Sequence, residues 1–355
     1  MALLDSQAHL QPLQGELTQL VEQLPSLEHG KLIKQVLVSL LAISRENLDR
    51  LDWKILLGSL QDMEKAFQVL APYRHTRKIA VFGSARTAKD DPDYAMARDF
   101  SKTMADQGFM LLTGAGGGIM EAANEGAGRD RSFGLNVYLP FEQSANPFIE
   151  GDEKLLTFKY FFTRKLFFLR ETDGVAVFPG GFGTMDELFE CLTLMQTGKF
   201  GPVPLLLVDR PGGDYWQDWA GYVNDQLLKK GLISGEDHHL YTITDDIEVA
   251  EAAIANFYRV YHSSRYVGAD LVMRLTTALE DAEVERLNQD FSDILVSGAI
   301  EKTAALPAEK GDETAHLPRL KLHYNQRDTG RLYELIADIN RLGESHLEEA
   351  HPECR

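Results

Sequence analysis

The stretch that most restricts the fold of this chain is Gly174-Val175-Ala176-Val177-Phe178-Pro179-Gly180-Gly181-Phe182-Gly183-Thr184-Met185-Asp186-Glu187. An apolar run breaks at Pro179, crosses a loop with three glycines, and enters an amphipathic segment that buries Leu188, Leu192 and Met195. The order is strand, tight turn, helix.

Such a turn leaves backbone N–H groups without partners at the start of the helix, where the macrodipole is positive. Glycines let an anion approach the main chain closely, so a phosphate is the expected occupant. Thr184 can offer its hydroxyl to the same anion, and Glu187 lies one turn further in. Thr184-x-x-Glu187 also reads as a capping box, in which Thr caps the helix and Glu reaches back to the cap. A cap needs no glycine cluster, and the preceding Pro-Gly-Gly-Phe-Gly favours a binding site.

The pattern PGGxGTxxE resembles the signature of the LOG family, the cytokinin-activating nucleoside 5′-monophosphate phosphoribohydrolases, whose relatives also carried the label "lysine decarboxylase". The family places an Arg-Lys pair on the helix before the PGG strand, and here Phe162-Thr163-Arg164-Lys165 stands in that place. The resemblance implies hydrolysis of the N-glycosidic bond of a nucleoside 5′-monophosphate to free base and ribose 5-phosphate. Arg164 and Glu187 are then the catalytic pair. Lys165, Gly180, Gly181, Gly183 and Thr184, with Gly83 and Ser84 of the first turn and Gly116 and Gly117 of the second, would hold phosphate and ribose. Met120 and Glu121 would line the base pocket. No cofactor is expected, and the family's site commonly borrows residues across a dimer, so a homodimer or higher homo-oligomer is expected. One departure, Glu121 where shorter plant-like members tend to have glycine, is closer to a larger bacterial branch with N- and C-terminal extensions and leaves base preference open.

Along the chain, residues 1–75 show helical periodicity at Leu17, Leu20, Val21 and Leu24, then Ile33, Val36, Leu37 and Leu40, with a further helix from Asp52 to Leu70. Residues 76–265 alternate strand and helix, the pattern of a Rossmann-like parallel sheet with helices on both faces. Strands are expected at Lys78–Phe82, Phe109–Thr113, Gly134–Leu139 ending at Pro140, Leu155–Phe158, Pro204–Val208 and Tyr241–Thr244, with helices at Asp93–Gln107, Tyr160–Arg170, Asp214–Lys230 and Ile247–Tyr261. Arg86, in the turn after the first strand, is a further candidate to reach the phosphate. The second glycine-rich turn, Gly114-Ala-Gly-Gly-Gly118, misses a dinucleotide fingerprint because Ile119 stands where glycine is needed, and no GxxxxGK[ST] occurs. Residues 266–355 read as a small α+β unit, with strands at Leu271–Leu275, Ile300 and Arg319–Tyr324, helices at Glu283–Leu295 and Thr329–Leu342, and an exposed loop over residues 304–318.

With 36 basic against 54 acidic residues the net charge is −18, which disfavours a nucleic acid polymer or an acidic membrane as partner. A small anion is still compatible, because a local cluster of N–H groups and an Arg outweighs distant surface charge. The two cysteines, Cys191 and Cys354, give neither a disulfide framework nor metal-ligand spacing, and adjacent His238 and His239 cannot share one helix face, so no metal is expected. The N-terminus has no signal pattern and no apolar run reaches membrane length, so a cytoplasmic location is expected. Three other functions fit less of the sequence. A nucleoside deoxyribosyltransferase would also place a Glu beside the sugar, and a non-catalytic nucleotide sensor would account for the terminal extensions. Pyridoxal-dependent lysine decarboxylation needs a Schiff-base lysine that nothing in the sequence singles out.

Overall fold

Seven short, mostly apolar runs lie side by side as parallel strands in the computed structural model, which describes residues 15, 17–139 and 144–350. They are β1 (Lys78–Phe82), β2 (Met110–Thr113), β3 (Ser132–Val137), β4 (Leu155–Phe158), β5 (Gly174–Val177), β6 (Leu205–Val208) and β7 (Thr242–Thr244), in the order β4-β3-β2-β1-β5-β6-β7. Every pairing is parallel. All residues of β1, β2, β5 and β6 are buried, as strands covered on both faces must be.

Alternation along these strands divides the core in two. Ile79, Val81, Leu111, Ala176 and Leu206 meet residues of α3 (Pro92–Asp106) and α4 (Ile119–Ala127), including Phe100, Met104 and Ile119. Ala80, Phe82, Leu112, Val175 and Val177 meet Phe167 and Phe168 of α5 (Phe161–Arg170) and Leu188, Cys191 and Met195 of α6 (Phe182–Gln196). Trp216 and Trp219 of α7 (Tyr215–Tyr222) join that second layer, and Ile254 of α8 (Ile247–Phe257) joins the first. The expected Rossmann-like α/β sheet is present. The helix expected over Asp214–Lys230 is α-helical only to Tyr222 and continues as a π-helical segment, Val223–Leu228.

A second sheet is antiparallel: β8 (Tyr261–Val267), β9 (Asp270–Leu275), β10 (Leu295–Thr303) and β11 (Arg319–Tyr324), ordered β10-β11-β9-β8. Leu271, Met273, Leu275, Leu320 and Leu322 form a separate core with Val284 and Leu287 of α9 (Asp281–Asp290) and Leu335, Ile336 and Ile339 of α10 (Thr329–Ala350). Here two expectations are corrected. The helix drawn to Tyr261 stops at Phe257, and Tyr261 opens β8, which runs across residue 265. Val267 pairs with Asp270 around Gly268-Ala269, and Gly268 at φ 65° supplies the left-handed first position that a two-residue hairpin demands. The helix drawn to Leu295 stops at Asp290, and Leu295 begins β10.

The chain divides into two compact units, Met1–Leu60 and Gln61–Arg355. In the first, residues 17–23 are helical, a short turn at Leu24–Ser26 follows, and α1 spans Gly30–Ile43; α2, Arg50–Leu70, then runs on into the second. Gly30 is required where it stands, because a Cβ would lie 1.7 Å from the Leu24 carbonyl oxygen. Pro140 and Cys354, singled out in the sequence, lie outside the described residues. No described helix is long and apolar enough to cross a membrane.

Candidate active site

The chain lays down β1 to β4 in one direction and then returns to place β5 on the other side of β1. In an open parallel sheet the reversal leaves a crevice at the carboxyl ends of the two strands, and ligands bind there. The turns after β1 and β5 are Gly83-Ser84 and Pro179-Gly180-Gly181, joined by a hydrogen bond from the Ser84 N–H to the Pro179 carbonyl at 3.0 Å. The turn after β2 packs against the first, with the Ile119 N–H donating to the Ser84 carbonyl at 3.0 Å and Gly118 at φ 62°.

These turns bound a cleft of about 850 Å³ whose lining includes Gly83, Ser84, Gly114, Met120, Arg164, Gly180, Gly181, Gly183, Thr184 and Glu187. Gly180 is demanded by packing, because a Cβ would stand 2.1 Å from Thr184 Oγ1 and 2.9 Å from the Ser84 nitrogen. Gly181 and Gly183 are different. A Cβ on either would meet nothing within 4 Å, so the fold leaves space over them. That space faces the first turn of α6, whose N–H groups have no intrahelical acceptors.

The helix begins at Phe182 with Gly181 as its N-cap and no side-chain cap. Thr184 therefore stands inside the first turn, and the capping-box reading of Thr184 and Glu187 does not hold. Glu187 is instead held from α5. Its Oε2 accepts from Lys165 Nζ at 3.1 Å, and its Oε1 lies 3.5 Å from Arg164 Nη2. Burial pushes the Glu187 carboxyl above its ordinary range, only partly countered by the Lys165 and Arg164 charges, while Glu190 adds to the rise.

Arg164 and Lys165 are adjacent on one helix and so project about 100° apart. Arg164 enters the cleft wall between the rings of Phe161 and Phe168, its guanidinium carbon 5.0 and 5.7 Å from their centres, and its Nε is buried without a partner. Lys165, expected among the phosphate and ribose ligands, is not brought to the cleft. Its Nζ is taken by three carboxylates of α6: Asp186 at 3.1 Å, Glu187 at 3.1 Å and Glu190 at 2.5 Å. Burial alone would lower its pKa, but the bonds from Glu190 and Glu187 outweigh this and raise it, so Lys165 stays charged.

Gly116 faces an adjoining recess of about 630 Å³ that shares Met120, Phe161 and Arg164 with the cleft and adds Asn136, Tyr138 and Thr157. Gly117 lines neither space, and Glu121 is turned to Lys89, 2.7 Å from its Nζ. Arg86, exposed, stands at the cleft mouth. Sequence reasoning missed Tyr215, Phe161, Phe168 and Phe182, which also line the cleft. For Tyr215 no local signal exists, since it arrives from the start of α7. Among the described residues no group of three or more His, Cys, Asp or Glu side chains is placed to hold a metal ion. Another cavity, about 390 Å³, opens at the opposite edge of the sheet beside Pro204, Thr242 and α10. Its arginines are matched there, Arg259 by Glu344 and Arg341 by Asp338, His239 Nε2 lies 2.6 Å from Glu334 Oε1, and no glycine turn reaches it.

Residues 120–254 match a protein-family model described as "Possible lysine decarboxylase". The chain is 26% identical over 182 residues to a probable cytokinin riboside 5′-monophosphate phosphoribohydrolase of Oryza sativa subsp. japonica, covering 48% of this chain and 73% of that relative. A second such rice protein is 38% identical over 72 residues, 20% of this chain and 32% of its own length. Among solved structures, the molybdenum cofactor binding protein from Rippkaea orientalis aligns with a TM-score of 0.37 at 19% identity, covering 51% of this chain and 96% of that one.

Proposed function

We propose, on the premise that residues 120–254 make this chain a member of the LOG family, that it hydrolyses the N-glycosidic bond of a nucleoside 5′-monophosphate. The observation that carries the reading is Glu187. A carboxylate that is 7% exposed stands in the wall of a cleft, about one turn in from the uncapped start of its own helix, where the glycines are open. Burying such a charge is costly unless it is paired, and here two cations hold it in one orientation.

In the reaction the bond from C1′ to the base nitrogen breaks as a water oxygen closes on C1′. The base leaves with the bonding electron pair and takes up one proton, balanced by the one the attacking water gives up, and the sugar passes through an oxocarbenium-like state. Glu187 as the carboxylate stabilises that positive charge and takes a proton from the water. The phosphate occupies the space over Gly181 and Gly183 beside Thr184, Arg164 holds the ribose and orients Glu187, and the base extends toward Met120. Lys165 acts through Glu187 rather than on the substrate. The same reading places this activity in the cytoplasm.

Incubating the protein with a panel of ribonucleoside monophosphates, AMP foremost, should release free base and ribose 5-phosphate in equal amounts by chromatography. A panel that binds without release would make the protein a nucleotide sensor. Release of base only when a second base is supplied, with a new nucleoside formed, would make it a transferase.

The same reading includes self-association. Phe161, Phe162 and Leu166 of α5 are about half exposed and Phe182 at the cleft mouth is 97% exposed, an apolar surface beside the site that a second copy would cover. Phe162→Asp should convert a dimer to monomer in sedimentation velocity. A wild-type chain that is monomeric at tens of micromolar sinks this part of the proposal.

A further inference from the structure

The Pro179–Gly181 turn has two carbonyls tied by donors from outside it. Pro179 O accepts from the Ser84 N–H, and Gly180 O accepts from the Tyr215 hydroxyl at 2.5 Å. Tyr215 is itself firmly presented. The next residue, Trp216, is fully buried, donates its N–H to Asp209 Oδ2 at 3.1 Å and its Nε1–H to the Val208 carbonyl at 3.2 Å, and meets the Tyr215 ring edge-on at 4.9 Å. The start of α7 is thereby fixed to the end of β6, the neighbour of β5 in the sheet.

No described peptide bond is cis, so the Gly180 carbonyl and the Gly181 N–H point in opposite directions within one peptide plane. A carbonyl drawn toward Tyr215 turns that N–H away from Tyr215. The peptide has glycine on both sides, and without the bond little would stop it rotating to put its oxygen where the N–H was. An oxygen in that place repels an anion, whereas an N–H binds one.

We infer that Tyr215 is a positioning residue that locks the Gly180–Gly181 peptide with its N–H available to the phosphate of the substrate, and so makes the cleft selective for phosphorylated over phosphate-free ligands. The inference rests on the reading of the α6 turn as the phosphate site. Tyr215 touches the turn and not the reacting atoms.

Tyr215→Phe removes one oxygen and keeps the ring against Trp216, and an unchanged thermal melt verifies the fold. Calorimetry with ribose 5-phosphate and with adenosine reads the effect. The variant should bind ribose 5-phosphate about tenfold more weakly, the loss of one well-placed hydrogen bond, and adenosine as wild type does. With turnover, the change should fall on KM for AMP with kcat held within about threefold. Equal affinity of variant and wild type for ribose 5-phosphate overturns the inference, as does an equal loss for adenosine, which would mark a packing role. Failure of wild type to bind ribose 5-phosphate removes it together with the phosphate site. If ribose 5-phosphate binding shows the tenfold loss while no monophosphate is hydrolysed, Tyr215 keeps its role and the hydrolase reading falls.

Discussion

Glu187→Gln is expected to lower base release about a hundred- to a thousandfold, the usual cost of removing one preorganised charge-stabilising group, and to leave the melting temperature within a few degrees of wild type. The fold should tolerate the change because the amide fills the same volume and keeps an oxygen for Arg164 to donate to, and Lys165 keeps Glu190 and Asp186 as partners. The opposite pattern, a lower melting temperature with unchanged turnover, would show that the residue serves only the helix. pH gives a second readout. Burial holds the Glu187 carboxyl above its ordinary range, and the reaction uses the carboxylate, so activity is present above that raised pKa and is lost as pH falls through it. The acid limb of kcat/KM, which reports the free enzyme, should therefore lie above the usual range of a glutamate and disappear from the residual activity of the variant.

The sheet was largely legible because its strands are apolar runs closed by glycine, proline or polar turns. Lys78–Phe82, Leu155–Phe158 and Arg319–Tyr324 have the bounds their runs predict. β8 was not legible in that way: Phe257-Tyr-Arg-Val-Tyr261 continues a helical apolar spacing, and only the Gly268 turn betrays a hairpin. The turns that bound the cleft could be read from glycine clusters, since the reason for those glycines is local. What the cleft does with a side chain is set across the fold. Two neighbouring cations cannot face one ligand from one helix, so the Arg-Lys pair splits into a cleft residue and a partner for α6 carboxylates. The Tyr215 bond to Gly180 joins positions 35 apart, and nothing near either residue announces it.

Glu309→Ala is expected to be the most destabilising single change in the second sheet, by about 3–5 kcal/mol, because it leaves a buried cation without its counter-charge. The sequence around it reads as an exposed loop, and residues 304–318 contain only two short 3₁₀ turns. Yet Glu309 is 0% exposed. Its Oε1 accepts from Arg274 Nε at 3.1 Å and Nη2 at 2.7 Å, and its Oε2 from Arg319 Nε at 3.0 Å and the Leu306 N–H at 3.2 Å. Arg319 also donates to the carbonyls of Thr314, Ala315 and Leu317, so one carboxylate and one guanidinium fasten the loop to β9 and β11. Burial alone would raise the Glu309 carboxyl, but the bonds from Arg274 and Leu306 and the two guanidinium charges outweigh it and hold it below the ordinary range. A carboxyl with a depressed pKa stabilises the fold above its unfolded value and loses that contribution as pH falls through the folded one, so the wild-type sheet should loosen in acid while the variant shows less of this dependence. Urea unfolding measures the loss, and a change under 1 kcal/mol would mean the loop is held by other contacts. The loss should also travel. At the start of α10, the Thr329 hydroxyl donates to the Gln196 carbonyl at 3.1 Å, and the Tyr333 hydroxyl donates to the Val203 carbonyl and accepts from its N–H, each at 3.0 Å. Hydrogen exchange in Glu309→Ala should therefore rise in β11 and, with it, at the C-terminal end of α6, the helix that carries Glu187 at its other end.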